Sequence, residues 1–227
     1  MARKHEESRR VRRLRVIIGG SIAAVALVVV AIGLFFAFRP VGEIAEGSHY
    51  DRLEGADRAR SGPIRVVEYF SYGCIHCRNF DPQIESWQED LPEDVEFERV
   101  PVAFSGAWRN LAAAYYAAKE LGILERVHPA LFEAIHEAGL SLQTPEAIAA
   151  FVDGRGTDGE TFRREMNSPA VRRAVAQAEE RTRTAGIRAV PTLVVDDRYR
   201  ISNTELSRQQ ILAVADELIA LEQAERD

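Results

Sequence analysis

The chain has 227 residues, 46% hydrophobic and 28% charged, which is enough apolar matter for a domain-sized core and too much for a wholly disordered chain. Its net charge of −6 is unevenly spread: residues 1–15 carry seven basic side chains and two acidic ones, a net of +5, which leaves −11 for the rest. An acidic body with no basic stripe argues against a nucleic-acid partner, and the 2 cysteines, both in one C-x-x-C, leave none for a separate structural bridge.

Residues 1–15 read as a basic cytoplasmic tail. Residues 16–38 then run 23 positions without a charge. A helix rising about 1.5 Å per residue needs roughly 20 apolar residues to cross the hydrocarbon core, so this run predicts one transmembrane helix. The basic flank keeps the N-terminus in the cytoplasm and places the body outside. The run ends in Phe35-Phe36-Ala37-Phe38, bulky residues that suit a signal peptidase poorly, so an uncleaved signal anchor is expected. Residues 39–62, with Pro40, Gly42, Gly47, Gly55 and Gly62 among charges, read as a linker in which 49–53 is a candidate edge strand.

The body opens with Ile64-Arg65-Val66-Val67-Glu68-Tyr69-Phe70, a β-rich run after Gly62-Pro63 that predicts a buried strand. Ser71-Tyr72-Gly73 predicts a turn, and a helix is expected from Cys74 to about 87, kinked at Pro82, which lacks an N–H for the ladder. A second strand is expected over 95–100. From 108 to about 183 the pattern is helical, with helices over 111–121, 129–138 and from Ala170, and start signals at Thr144-Pro145 and Ser168-Pro169. A strand at 191–195, a tight turn at Asp196-Asp197, a returning strand at 199–201 and an amphipathic helix over 207–221 close the chain.

Cys74-Ile75-His76-Cys77 thus falls between a strand and a helix. At a helix N-terminus, free N–H groups and the macrodipole favour a thiolate, the reactive form of cysteine. Cys74 is therefore expected as the attacked, more exposed sulfur and Cys77, one turn on, as the resolving one. A partly protonated His76 between them stabilises the thiolate further, which makes the disulfide more oxidising. A zinc site needs four ligands and no second cysteine pair exists; a c-type haem needs histidine where Arg78 stands. No metal and no cofactor are expected. Glu68, an acid inside an apolar strand, is either a functional buried carboxyl or a strand-end residue facing solvent.

The stretch from Glu68 to Cys77 resembles the active-site segment of the DsbA family, extracytoplasmic disulfide oxidases, and the likeness extends over about 49–221. The resemblance implies an α/β thioredoxin-like fold with an inserted α-helical domain, here preceded by the transmembrane helix. The expected parts are a first thioredoxin-like segment at 63–107, the helical insertion at 108–183 and a second segment at 184–227. It also implies that Gly186-Ile187-Arg188-Ala189-Val190-Pro191-Thr192 is the cis-proline loop, with Pro191 cis, packed beside Cys74 and exposing the Val190 backbone to an extended substrate. Glu68 would lie beneath the disulfide and move protons. Ile75 departs from the family, which more often has proline there. The implied activity is a dithiol oxidase acting on reduced, folding proteins in the periplasm from the inner membrane, and reoxidised by a DsbB-like quinone-linked membrane partner. Two alternatives remain open at this stage, a membrane-tethered reductase such as one serving cytochrome c maturation, and a non-catalytic chaperone.

Overall fold

The computed structural model describes residues 44–53, 55, 62–202 and 204–226. The chain divides into two units, Met1–Val41 and Gly42–Asp227, and everything described lies in the second. The expected basic tail and transmembrane helix lie outside the described residues, as do parts of the linker. Among the described residues no helix is long and apolar enough to cross a membrane.

Among the described residues, five strands form one sheet: β1 (Tyr50–Arg52), β2 (Ile64–Phe70), β3 (Val95–Pro101), β4 (Thr192–Val195) and β5 (Tyr199–Ile201), in the order β1-β5-β4-β2-β3. The run of β-branched and aromatic residues in β2 takes the centre. It pairs parallel with β3, with Glu68 opposite Arg99, and antiparallel with β4, with Glu68 opposite Leu193. Six of its seven residues are buried, as a strand covered on both faces requires. The β4–β5 turn puts both Asp196 and Asp197 at positive φ, the backbone that a tight hairpin of right-twisted strands demands and that Asp tolerates better than most residues. The short edge strand β1 pairs antiparallel with β5.

Among the described residues, seven helices surround the sheet: α1 (Ile75–Glu89), α2 (Gly106–Glu120), α3 (Leu124–His136), α4 (Pro145–Val152), α5 (Gly159–Met166), α6 (Pro169–Thr184) and α7 (Arg208–Arg226). The first connects the parallel pair β2 and β3, and α7 packs on α1, β2, β4 and β5. The five helices α2 to α6 lie between β3 and β4 in sequence, and α2 and α6 reach back to β3. Two of them begin where the sequence signals put them: Thr144 and Ser168 accept hydrogen bonds from Ala147 N and Val171 N, whereas α2, capped by Ser105, begins five residues before the expected 111. Such caps contribute about 1 kcal/mol each.

The structure corrects the sequence reading in three further helices. α3 starts at Leu124, not Pro129, although Pro129 cannot donate to the ladder. Burial of Val127, Leu131 and Phe132 outweighs that lost bond. α5 was hidden among Gly154, Gly156 and Gly159, and is fixed by Asp158, whose side chain accepts from Thr161 N at 2.8 Å. α7 runs five residues past the expected 221, because Glu222 is buried on an ion pair with Arg198 from the β4–β5 turn, a partner 24 positions away.

Candidate active site

Strand β2 ends at Phe70 and hands the chain to a turn. Cys74 N donates to Ser71 O at 3.0 Å, and Gly73 N donates to Ser71 Oγ at 3.1 Å. Cys74 is the N-cap of α1, with extended backbone (φ −104°, ψ 116°) and no capping hydrogen bond from its own side chain. The free N–H groups of the first turn therefore face its sulfur. The thiol of Cys74 is lowered from the ordinary value of 9.0 to about 6, first by the hydrogen bond from the Cys77 thiol and then by the N–H groups of Cys77 and His76 and the charge of His76, against burial. Cys77 is fully buried and goes the other way: burial first, then the negative charge of Cys74 and Glu68, hold its proton well above the ordinary range. Both cysteines are in the free thiol state. One sulfur is thus poised to be a thiolate near neutral pH and the other a thiol.

The Val190–Pro191 bond is cis, and its loop lies beside Cys74: the Cys74 thiol donates to Val190 O at 3.4 Å. That contact exists only in the protonated form, since a thiolate has nothing to donate. The Val190 backbone is thus half-buried against the sulfur when the pair is reduced. His76 and Ile75 project to the surface, and Ile75 is 46% exposed. A cleft of about 490 Å³ opens beside them, lined in part by His76, Gln83, Val190, Pro191, Leu206 and Arg208.

Glu68 is 2% exposed in the middle of β2, which excludes the solvent-facing reading. Alternation along the strand turns it to the same face as Val66 and Phe70. Its carboxyl accepts from Arg99 Nε at 3.0 Å, and the same guanidinium stands 2.6 Å from Glu85 and 3.6 Å from Asp81. Burial dominates, assisted by those two acids and opposed by Arg99, and raises Glu68 from 4.5 to about 7. Its charge is felt at Cys77.

Sequence reasoning missed several groups that converge here. Asp81 Oδ1 receives His128 Nε2 at 2.9 Å, and His128 Nδ1 meets the Tyr72 hydroxyl at 2.8 Å. His136 Nε2 donates to Tyr72 O at 2.8 Å. Trp108 packs so closely on Gly73 that a Cβ there would lie 2.4 Å from its indole nitrogen. A stripe of His128, Phe132 and His136 at i, i+4, i+8 was the available signal; it spaces the histidines by eight, outside the metal-ligand spacing that was sought. Ligand atoms of Asp81, Glu85 and His128 do lie within 4.8 Å of one another. Arg99 already supplies the positive charge at that point, and both His128 nitrogens are engaged.

Comparison with known proteins gives a consistent picture. Residues 88–215 match the family model of the DSBA-like thioredoxin domain, a stretch that begins after the cysteine pair. The chain is 38% identical over 167 residues to the thiol:disulfide interchange protein DsbA of Azotobacter vinelandii, covering 73% of this chain and 78% of that protein. It is 35% identical over 203 residues to the DsbA of Pseudomonas syringae pv. tomato, covering 88% and 95%. The crystal structure of Pseudomonas aeruginosa DsbA superimposes with a TM-score of 0.76 at 36% identity, over 81% of this chain and 97% of that one.

Proposed function

The chain belongs to the DsbA family of thiol:disulfide oxidoreductases with a thioredoxin-like fold, and from that premise we propose that it is a dithiol oxidase that donates a Cys74–Cys77 disulfide to reduced proteins folding outside the cytoplasm. The observation that carries this reading is the split acidity of the pair, with Cys74 at about 6 and Cys77 pushed up. A stabilised Cys74 thiolate is a good leaving group and stabilises the reduced protein, so electrons flow into the pair.

The steps balance as follows. A substrate thiolate attacks Cys74 Sγ, the S–S bond breaks, and Cys77 leaves as a thiolate that takes up a proton. A second substrate thiolate attacks the substrate sulfur of the mixed disulfide, and Cys74 leaves as a thiolate. The substrate has lost two electrons and gained a disulfide; the protein holds a Cys74 thiolate and a Cys77 thiol. Glu68, buried near Cys77 and at about 7, has the acidity to exchange the Cys77 proton in either direction. His76 adds positive potential at Cys74. Val190 and Pro191 border both the sulfur and the cleft, where an extended substrate chain would lie. Ile75 leaves its backbone N–H at the helix start, a donor that proline would not have.

Reoxidation falls to a DsbB-type membrane partner. The uncharged run at 16–38 supports a single-pass anchor in the inner membrane, followed by a linker at 39–62 and a periplasmic body interrupted by helices. An anchor raises the effective concentration of the two proteins in one membrane. Release of the chain from membranes by alkaline carbonate would sink the anchored reading.

Equilibration of the full chain with glutathione buffers, followed by alkylation, tests the direction of flow. An oxidase gives a potential near the roughly −120 mV already known for DsbA, whereas about −270 mV, the thioredoxin value, would leave a tethered reductase as the account. Loss of dithiol oxidation in Cys74→Ser is expected to be complete. Retained biological function in that variant would favour a chaperone.

A further inference from the structure

Tyr72 is two residues before Cys74, separated from it by Gly73 alone. It is 1% exposed, and three side chains on one face of α3 hold it along its length. At one end its hydroxyl meets His128 Nδ1 at 2.8 Å. In the middle its ring stands edge-on to Phe132, with centroids 5.0 Å apart. At the other end its carbonyl accepts from His136 Nε2 at 2.8 Å. The three residues recur every four positions, which puts them in one row along the helix.

The hydrogen bonds assign the protons. A carboxylate accepts only, so the His128 nitrogen that faces Asp81 at 2.9 Å is the protonated one. Its other nitrogen meets the Tyr72 hydroxyl at 2.8 Å. Burial keeps that hydroxyl protonated far above neutral pH. His136 likewise carries its proton on Nε2, because a carbonyl cannot donate. Tyr72, His128 and Asp81 therefore form one hydrogen-bonded chain, and Asp81 sits on α1, one turn beyond Cys77.

We propose that His128 and His136 of α3 are positioning residues for Cys74, holding Tyr72 by its hydroxyl and its carbonyl so that the turn before the helix keeps its orientation. This rests on the reading of Cys74 as the reactive sulfur. The reason is geometric. Backbone N–H groups and the Cys77 thiol act on the Cys74 sulfur through directed hydrogen bonds, which weaken steeply with misalignment. Only Gly73 stands between the clamp and Cys74. Glycine has the freest backbone of any residue, so a fixed Tyr72 adds to the Ser71 hydrogen bonds and the Trp108 contact in defining the turn. The clamp comes from a helix that belongs to neither β2 nor α1. The helices between β3 and β4 thereby reach into the chemistry through Tyr72.

The test uses the full chain, reduced, in detergent. The Cys74 thiolate is read by its ultraviolet absorbance as a function of pH; with 2 cysteines in the chain and Cys77 held protonated, the signal has one source. Tyr72→Phe keeps the ring and removes one hydrogen bond; His136→Leu removes the other. Each is expected to raise the midpoint above the wild-type value near 6 by about half a pH unit, which is about threefold less thiolate on the acid side. His136→Gln, which retains an N–H donor, should restore most of it. A midpoint unmoved in both Tyr72→Phe and His136→Leu overturns the proposal, and a lowered melting temperature with an unmoved midpoint does the same by showing a purely structural clamp. The titration involves no substrate, so a thioredoxin-like potential would sink the oxidase reading and leave this result standing.

Discussion

Two clusters of buried charge lie at different places in the sheet, and they are built differently. Near the cysteines, Glu68, Asp81 and Glu85 share the one guanidinium of Arg99. At the β4–β5 turn, Asp196, Glu222 and Glu225 meet two: Arg198 reaches Glu222 at 2.6 Å and Glu225 at 2.9 Å, and Arg226 reaches Asp196 at 2.7 Å. The second cluster fastens α7 to the turn, and its buried acid, Glu222, has a close partner. The first leaves three acids competing for one cation, and the most deeply buried of them carries its proton up to about pH 7. A carboxyl in that state can take and give a proton under physiological conditions. Full pairing would have removed that ability.

The contrast is broken most directly at the turn. Arg198→Met should destabilise the protein by about 1–3 kcal/mol in chemical denaturation, because it takes from Glu222, 1% exposed, its partner at 2.6 Å and leaves it Arg226 at 3.8 Å, while the pH dependence of Cys74 alkylation stays as it was. A loss under about 1 kcal/mol would mean that the second cluster is not held by pairing.

Glu68→Gln should act with the opposite sign. A carboxyl raised from 4.5 to about 7 binds its proton more tightly in the folded protein than in the unfolded chain. Its contribution is fully present below pH 4.5 and is lost as pH rises through about 7. The neutral amide does not lose it, so the variant should be more stable than wild type by about 3 kcal/mol at pH 8 and no more stable at pH 4. The asset given up is kinetic: reduction of the Cys74–Cys77 disulfide by substrate, the step in which Cys77 takes up its proton, should lose its dependence on pH near 7. Equal stabilities at pH 8 would show that Arg99 compensates Glu68 after all.

The smallest effect is expected from Glu85→Gln. Its side chain is 45% exposed, and it competes with Glu68 for Arg99. Removing it should move the Glu68 midpoint downward by a fraction of a pH unit, read from the carboxyl resonance in a labelled sample. An upward shift would contradict the shared-cation account.

Much of this site was legible along the chain. The cysteine pair, its place between a strand and a helix, the buried acid in β2 and the proline at 191 all follow from local pattern or from family resemblance. The helix caps at Thr144 and Ser168 were legible because a cap is made by residues three apart. The misplaced start of α3 has the opposite cause: Pro129 is a strong local signal, and burial of the residues around it decides otherwise. Glu222 is legible neither as buried nor as helical, since what neutralises it is 24 positions away.

The sequence by itself determined that the cysteine pair lies at a strand–helix junction, where the helix N-terminus acts on the residue that begins it. It determined the uncharged run ahead of the body as well. Only the tertiary structure decided how many cations Glu68 must share, and which side chains from α3 grip the turn before Cys74. Those depend on groups 31, 56 and 64 positions apart, Arg99 with Glu68, His128 with Tyr72 and His136 with Tyr72, and such pairs meet only when the sheet register and the helix packing bring them together.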